Sequence, residues 1–311
     1  MLHVEAKQVM QMRIMTQDAS SHVFSVMDQS PSGVVHSVFN NSFNLIFGDR
    51  LIHIGASENG LSPFGISVSG SLATLLTASV RNEKEAHWKS DKQEISIGNK
   101  ITVDVSIAEI HDMALADDEP DADLLYKRSV ICAEHLSANG FRAGLINSDE
   151  EQTSLLNYLL HGRSPQTEFE SRIVSLEMLA QGNFSDAPKA VYDYWIGRGP
   201  GLTPSGDDMM TGLLASMEMQ GILSLDLRAT LKEYLEQQGL KRTTPVACEY
   251  LLYALRGFFH ASIRNLCMAF SNGDGQQFSS ALEEMEKIGH TSGIDTIIGM
   301  LIGIKAGKQF V

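Results

Sequence analysis

Ala114-Leu115-Ala116-Asp117-Asp118-Glu119-Pro120-Asp121-Ala122-Asp123 separates two rhythms in this chain of 311 residues. Upstream, short β-branched and aromatic runs meet at small-residue turns. Gly33–Phe39 and Ser42–Phe47 flank Asn40-Asn41, and Gly48-Asp49 turns into Arg50–Ile54. Gly65–Val68, Glu94–Ile97 and Ile101–Val105 follow, the last two joined by Gly98-Asn99. Strands of that length and spacing predict a small barrel or sandwich. The run Ser71–Val80 fits helix and strand equally. Downstream, Leu124, Leu125, Ile131 and Cys132 open an amphipathic helix that stops near Asn139-Gly140. Helical periodicity recurs at about 149–161, 166–181, 186–196, 207–221, 226–238, 245–258, 260–271, 276–288 and 294–306. The fold class is therefore α+β: a β-rich module over 1–113 and a larger all-α domain over 114–311.

Composition bounds the function. Hydrophobic residues make up 43% and charged residues 20%, an ordinary globular balance. Lys and Arg total 24 against 38 Asp and Glu, a formal charge of -14 that repels phosphate backbones and anionic lipid. No nucleic-acid or membrane role is expected. The start, Met1–Lys7, lacks the basic and apolar pattern of a secretion signal, and the apolar stretch Thr296–Ile304 is too short to cross a bilayer. Cys132, Cys248 and Cys267 form no metal or disulfide spacing, so a cytoplasmic location is expected.

One stretch concentrates chemistry: Gly197-Arg198-Gly199-Pro200-Gly201-Leu202-Thr203-Pro204-Ser205-Gly206-Asp207-Asp208. Alternate glycines open backbone conformations closed to other residues and let a ligand approach. Gly201 and Gly206 have the spacing of a phosphate loop, but Asp207-Asp208 stands where that loop needs Lys and Ser or Thr. A nucleotide P-loop is rejected on charge. Two readings remain. Ser205 as N-cap with Asp208 three residues on makes a capping box worth about 1 kcal/mol. Alternatively, the paired carboxylates hold a hard divalent cation such as magnesium or manganese.

A second stretch, Gly289-His290-Thr291-Ser292-Gly293-Ile294-Asp295, repeats the pattern. Thr203–Leu214 aligns without gaps on His290–Leu301, sharing Ser-Gly, an Asp, a Gly two turns in (Gly212, Gly299) and the final Leu. Glycine inside a helix costs about 1 kcal/mol, which close helix packing can offset. The two helices are read as pseudo-equivalent, with N-termini converging on one site. A third start, Lys241-Arg242-Thr243-Thr244-Pro245, places two cations and two hydroxyls before a first-turn proline, a ready anion trap.

These residues nominate Asp207, Asp208, His290 and Asp295 for proton transfer, with Asp208 and Asp295 as cation ligands. Arg198, Gly199, Gly201, Thr203, Ser205 and Gly206 are the candidates for holding an anion from the first loop. Arg242, Thr243 and Thr244 would do so from the third, Ser292 and Gly293 from the second. His36, in the strand Val35-His36-Ser37-Val38, completes the set. No HExxH, no G-x-S-x-G and no Cys/His pair competes with them.

Gly199–Asp208, Gly289–Asp295, Arg242-Thr243-Thr244 and Val35–Phe39 together resemble the AllH-like subunit family of oxamate carbamoyltransferase, across nearly the whole chain. The resemblance implies a cytoplasmic subunit working with two other carbamoyltransferase subunits in anaerobic allantoin (purine) catabolism. The joint reaction turns oxalurate and phosphate into oxamate and carbamoyl phosphate. Its participants are small anions, which helix N-termini and Arg198 or Arg242 suit. Two other readings stay open: a non-catalytic assembly or regulatory subunit whose β module docks a partner, and a stand-alone Asp- or metal-dependent hydrolase or transferase.

Overall fold

The computed structural model describes residues 11–115, 120–161, 165, 167–183 and 187–308. The chain divides into two compact units, Met1–Met113 and Ala114–Val311. The acidic run Asp117-Asp118-Glu119 lies outside the described residues.

The first unit is one curled sheet of ten strands: β1 (Met12–Met15), β2 (Asp18–Ser20), β3 (Ser32–Val38), β4 (Ser42–Phe47), β5 (Arg50–Ala56), β6 (Gly65–Val68), β7 (Glu85–Lys89), β8 (Glu94–Ile97), β9 (Ile101–Asp104) and β10 (Glu109–His111). Their order is β1-β9-β8-β7-β3-β4-β5-β6-β2-β10. One piece of chain links the two ends of that order. β1 pairs with β9, and two residues later β2 pairs with β6 and β10. At the bend Thr16 N–H donates to the Asp104 carbonyl and Gln17 N–H to the Ser67 carbonyl. The result is a half-barrel, and the strands read from sequence are all present.

Two helices line its core. α2 (Gly70–Val80) settles the ambiguous run: Ala73, Leu76, Thr77 and Val80 are buried at i, i+3, i+4 and i+7, the stripe of a helix. α1 (Ser21–Gln29), absent from the sequence reading, buries only Val23 and Met27 and starts at Ser20, whose hydroxyl accepts from His22 N–H. β7 was also missed, although Ala86 and Trp88 alternate inward in a clean period of two.

The second unit is helical: α3 (Ala122–Asn139), α4 (Asp149–His161), α5 (Glu168–Ala180), α6 (Pro188–Trp195), α7 (Ser205–Met219), α8 (Leu225–Tyr234), α9 (Leu240–Arg242), α10 (Pro245–Ala254), α11 (Ala261–Ser271), α12 (Gly275–Glu286) and α13 (Ser292–Gly307). The helix expected over 226–238 ends earlier, at Tyr234, and widens into a π turn over Leu235–Gly239. α7 and α13 are buried on nearly every side and form the centre of the unit. They touch backbone to backbone. A Cβ on Gly212 would overlap the Thr296 carbonyl, and one on Gly299 would overlap the Met209 carbonyl. Gly212 and Gly299 stand 87 residues apart, as do Met209 and Thr296, so one contact is made twice under a local two-fold. The three cysteines are buried and form no disulfide. No described helix is long and apolar enough to cross a membrane.

Candidate functional site

The Gly-rich loop leaves α6 with Gly197, Gly199 and Gly201 all at positive φ (78°, 106° and 103°). It folds back so that Gly206 N–H donates to the Arg198 carbonyl at 2.8 Å. Gly206 lies where a Cβ would overlap the Trp195 carbonyl, and Gly199 packs on Ser205. α7 begins one residue earlier than a serine cap requires. Pro204 is its N-cap, and its carbonyl takes the N–H groups of Asp207 and Asp208. The capping box expected of Ser205 and Asp208 is therefore not formed. Ser205 is the first helical residue, and its hydroxyl is free to reach another helix.

That helix is α13. The Ser205 hydroxyl donates to Asp295, and the Ser292 hydroxyl donates to Asp208. The first residue of each helix thus holds the fourth residue of its partner, the reciprocal pattern of a two-fold contact. Thr291, from its own loop, and the amides of Gly144 and Leu145 (3.2 and 3.4 Å) complete Asp295, which has no solvent exposure. Burial still pushes its carboxyl up, with those donors pulling back. Asp208 receives Ser292 and Thr203, and its Oδ2 has no hydrogen-bond partner. Burial raises its carboxyl well above the usual range, and repulsion from Asp295 and Asp207 adds to that. Gly293 sits against the Met285 carbonyl just as Gly206 sits against Trp195.

Asp207 ties in the third helix start. Its Oδ2 accepts from Gly197 N–H at 3.0 Å and from the Thr243 hydroxyl at 2.9 Å, while Oδ1 is unpartnered. The residue is 2% exposed, and burial pushes its carboxyl up to about 6. Thr244 caps α10 by accepting from Ala247 N–H, and its hydroxyl donates to the Leu202 carbonyl.

The charge at this meeting point is the reverse of an anion trap. Arg242 donates to the Asp193 carbonyl, and Arg198 lies over the Tyr194 ring at 4.6 Å, so neither guanidinium is shown bonded to the carboxylates. The dipoles of α7 and α13 are answered by the chain's own first-turn carboxylates. No third His, Cys, Asp or Glu joins Asp208 and Asp295 as a close ligand group among the described residues. Hydroxyls approach both carboxyls and amides reach Asp295; these donors favour the charged form, and it is burial that favours a held proton.

His290 is exposed and lines an open cleft of about 630 Å³ with Arg142, Gly144, Asn147 and Thr291. Gly144 links cleft and carboxylates: its N–H holds Asp295, and a Cβ on it would overlap the Ser205 hydroxyl. The sequence reading passed over this segment. Its signal was available, since Gly140-Phe141-Arg142-Ala143-Gly144 mixes glycine and arginine as Gly197-Arg198-Gly199 does. His36 belongs to the first unit. It is exposed at a bulge in β3, with Nδ1 3.1 Å from the Ser37 hydroxyl.

Residues 195–304, which carry the Gly-rich loop, all three helix starts, α7 and most of α13, match the family described as oxamate carbamoyltransferase subunit AllH. Residues 13–110 match the AllH family N-terminal domain. The chain belongs to the AllH family. No solved structure matches it. The family's two matched regions fall one in each unit, and Arg142 and Gly144 lie between them.

Proposed function

We propose that this AllH-family chain carries the proton-transfer site of an oxamate carbamoyltransferase made with two other subunits. The complex would act on oxalurate and phosphate in anaerobic allantoin and purine catabolism, in the cytoplasm. The observation that supports this best is Asp208, a carboxyl held by Ser292 and Thr203 with one oxygen left unpartnered. A carboxyl whose proton affinity is raised by burial is suited to give and take protons.

The chemistry needs one such group. A phosphate oxygen attacks the carbamoyl carbon of oxalurate, the C–N bond to the oxamate nitrogen breaks, and that nitrogen takes a proton as it leaves. The proton lost by hydrogenphosphate balances it. In this reading Asp208 gives the proton to the leaving nitrogen and recovers it from phosphate. Asp295 and Asp207 position the loops, and Arg142 and His290 hold the anionic substrate in the cleft. Turnover of the complex with and without magnesium or manganese tests whether a cation takes part.

The test is turnover of the reconstituted complex with Asp208→Asn. Loss of about 10²- to 10⁴-fold with assembly intact is expected. Full turnover by that complex would end the proposal. A docking role is favoured by one observation, the exposed Ile107 (68%) and Ile110 (49%) at the β10 edge of the sheet. If docking is the whole function, Ile110→Asp abolishes assembly and Asp208→Asn is silent.

A further inference from the structure

At the far end of α13 the electrostatics change sign. Asp295 lies in the first turn of this helix and Lys305 in the last, about 15 Å apart along the axis at 1.5 Å per residue. Lys305 and Lys308, with His161 from the end of α4, border a cavity of about 220 Å³ completed by Tyr126, Ser129 and Leu301. The lysines' placement at a helix C-terminus is favourable by itself. That does not explain why both share one cavity with a histidine from another helix, in a chain of charge -14.

The hydrogen-bond inventory of Lys305 points further. Its ammonium has three donors. One reaches the Tyr158 carbonyl at 3.0 Å, and the group lies over the Tyr158 ring. The nearest carboxylate, Glu177, stands at 3.9 Å, beyond hydrogen-bond range. Burial accordingly lowers the proton affinity of Lys305, which Glu177 restores only in part. Lys308 faces the Tyr126 ring at 3.6 Å and has no ion pair among the described residues. At about 220 Å³ the cavity falls below the roughly 300–1,000 Å³ of sites for drug-sized ligands, and a small anion suits it.

We propose that this cavity is a binding site for a small phosphate-class oxyanion, held by Lys305, Lys308 and His161 and separate from the carboxylate cleft. Glu177 keeps Lys305 in place behind it, and the anion takes the donors that Lys305 and Lys308 have left. The inference stands independently of the proposed carbamoyl chemistry.

The experiment is calorimetric titration of the full chain with inorganic phosphate and, separately, pyrophosphate. Saturable binding is expected, weakened at least tenfold in Lys308→Met and in His161→Ala. Lys308 is exposed, and the contact shown for its ammonium among the described residues is the Tyr126 ring, so Lys308→Met should keep the unfolding midpoint of the parent and report binding alone. Arg142→Ala serves as the control, because it removes phosphate from the carboxylate cleft and should leave this site filled. Binding lost in Arg142→Ala but kept in Lys308→Met overturns the proposal, as does the absence of saturable heat up to about 10 mM, a Kd that corresponds to under 3 kcal/mol.

Discussion

The starts of α7 and α13 carry nearly the same signal, Pro-Ser-Gly-Asp-Asp and Thr-Ser-Gly-Ile-Asp, and they end in different states. Asp295 is sealed from solvent and bound by two hydroxyls and two amides. Asp208 has two hydroxyls and a free oxygen. The difference comes from what each helix meets. The Phe141–Leu145 segment supplies amides to Asp295, and no such segment is shown on Asp208. A repeated motif has closed one carboxylate in by donors and left the other with an unpartnered oxygen, the one proposed for chemistry.

Exchanging the two side chains' chemistry should expose that division most strongly. Asp208→Asn should cost the complex about 10²- to 10⁴-fold in turnover and move the unfolding free energy by less than about 1 kcal/mol. Asp295→Asn should do the opposite in kind. Its amide would place an N–H against groups that already donate, at a cost of about 3 kcal/mol in urea unfolding. Equal effects from both variants would erase the distinction.

The two-fold itself can be broken at its centre. Gly212→Ala and Gly299→Ala each drive a Cβ into a carbonyl of the opposite helix. Each should destabilise the unit by about 3 kcal/mol or more, because packed backbones cannot yield as side chains do. Since the same contact is made twice, the two losses should agree closely. A large inequality would mean the helices are not equivalent in energy.

Much of this was legible. The change of period near Pro120, the ungapped repeat and the glycines two turns in all follow from spacing, and close packing at Gly212 and Gly299 was the natural reason for their cost. Other features hid for physical reasons. α1 has only two buried residues, too few to set a period. Ser205 has a cap residue's identity, but Pro204 takes the cap and redirects the hydroxyl to Asp295. Arg242 looks like an anion ligand beside two threonines, yet its partner is a carbonyl 49 residues away in sequence. Spacing reports what a helix start can offer, and only the fold decides which neighbour accepts it.

Asp207 sharpens the comparison through pH. Its carboxyl rises from 3.8 to about 6 in the folded chain. Between those values the folded state holds more protons than the unfolded one, so stability falls as pH rises from about 4 to about 6. The whole effect is at most about 3 kcal/mol, at 1.36 kcal/mol per pH unit. Asp207→Asn should remove that share of the fall and leave the part due to Asp208 and Asp295, while keeping the bonds from Gly197 and Thr243. An Asp207→Asn profile as steep as that of the wild type over this window would mean that Asp207 is ionised at low cost.

The smallest and most selective test is the pair of serines that cross between the helices. Ser205→Ala removes one of four donors from a carboxylate with no access to water, and should cost about 1.5 kcal/mol of stability. Ser292→Ala removes a donor from Asp208, which is partly buried and keeps Thr203. It should cost less than about 1 kcal/mol. Its main consequence is chemical. A donor that favours the charged form is gone, so the Asp208 carboxyl rises further. If Asp208 delivers its proton to the leaving nitrogen, the alkaline limb of the pH–rate profile moves to higher pH in Ser292→Ala. The same limb stays in place in Ser205→Ala, whose hydroxyl serves Asp295. A shift of the limb in Ser205→Ala alone would transfer the proton-donating role to Asp295 and reverse the assignment of the two helix starts.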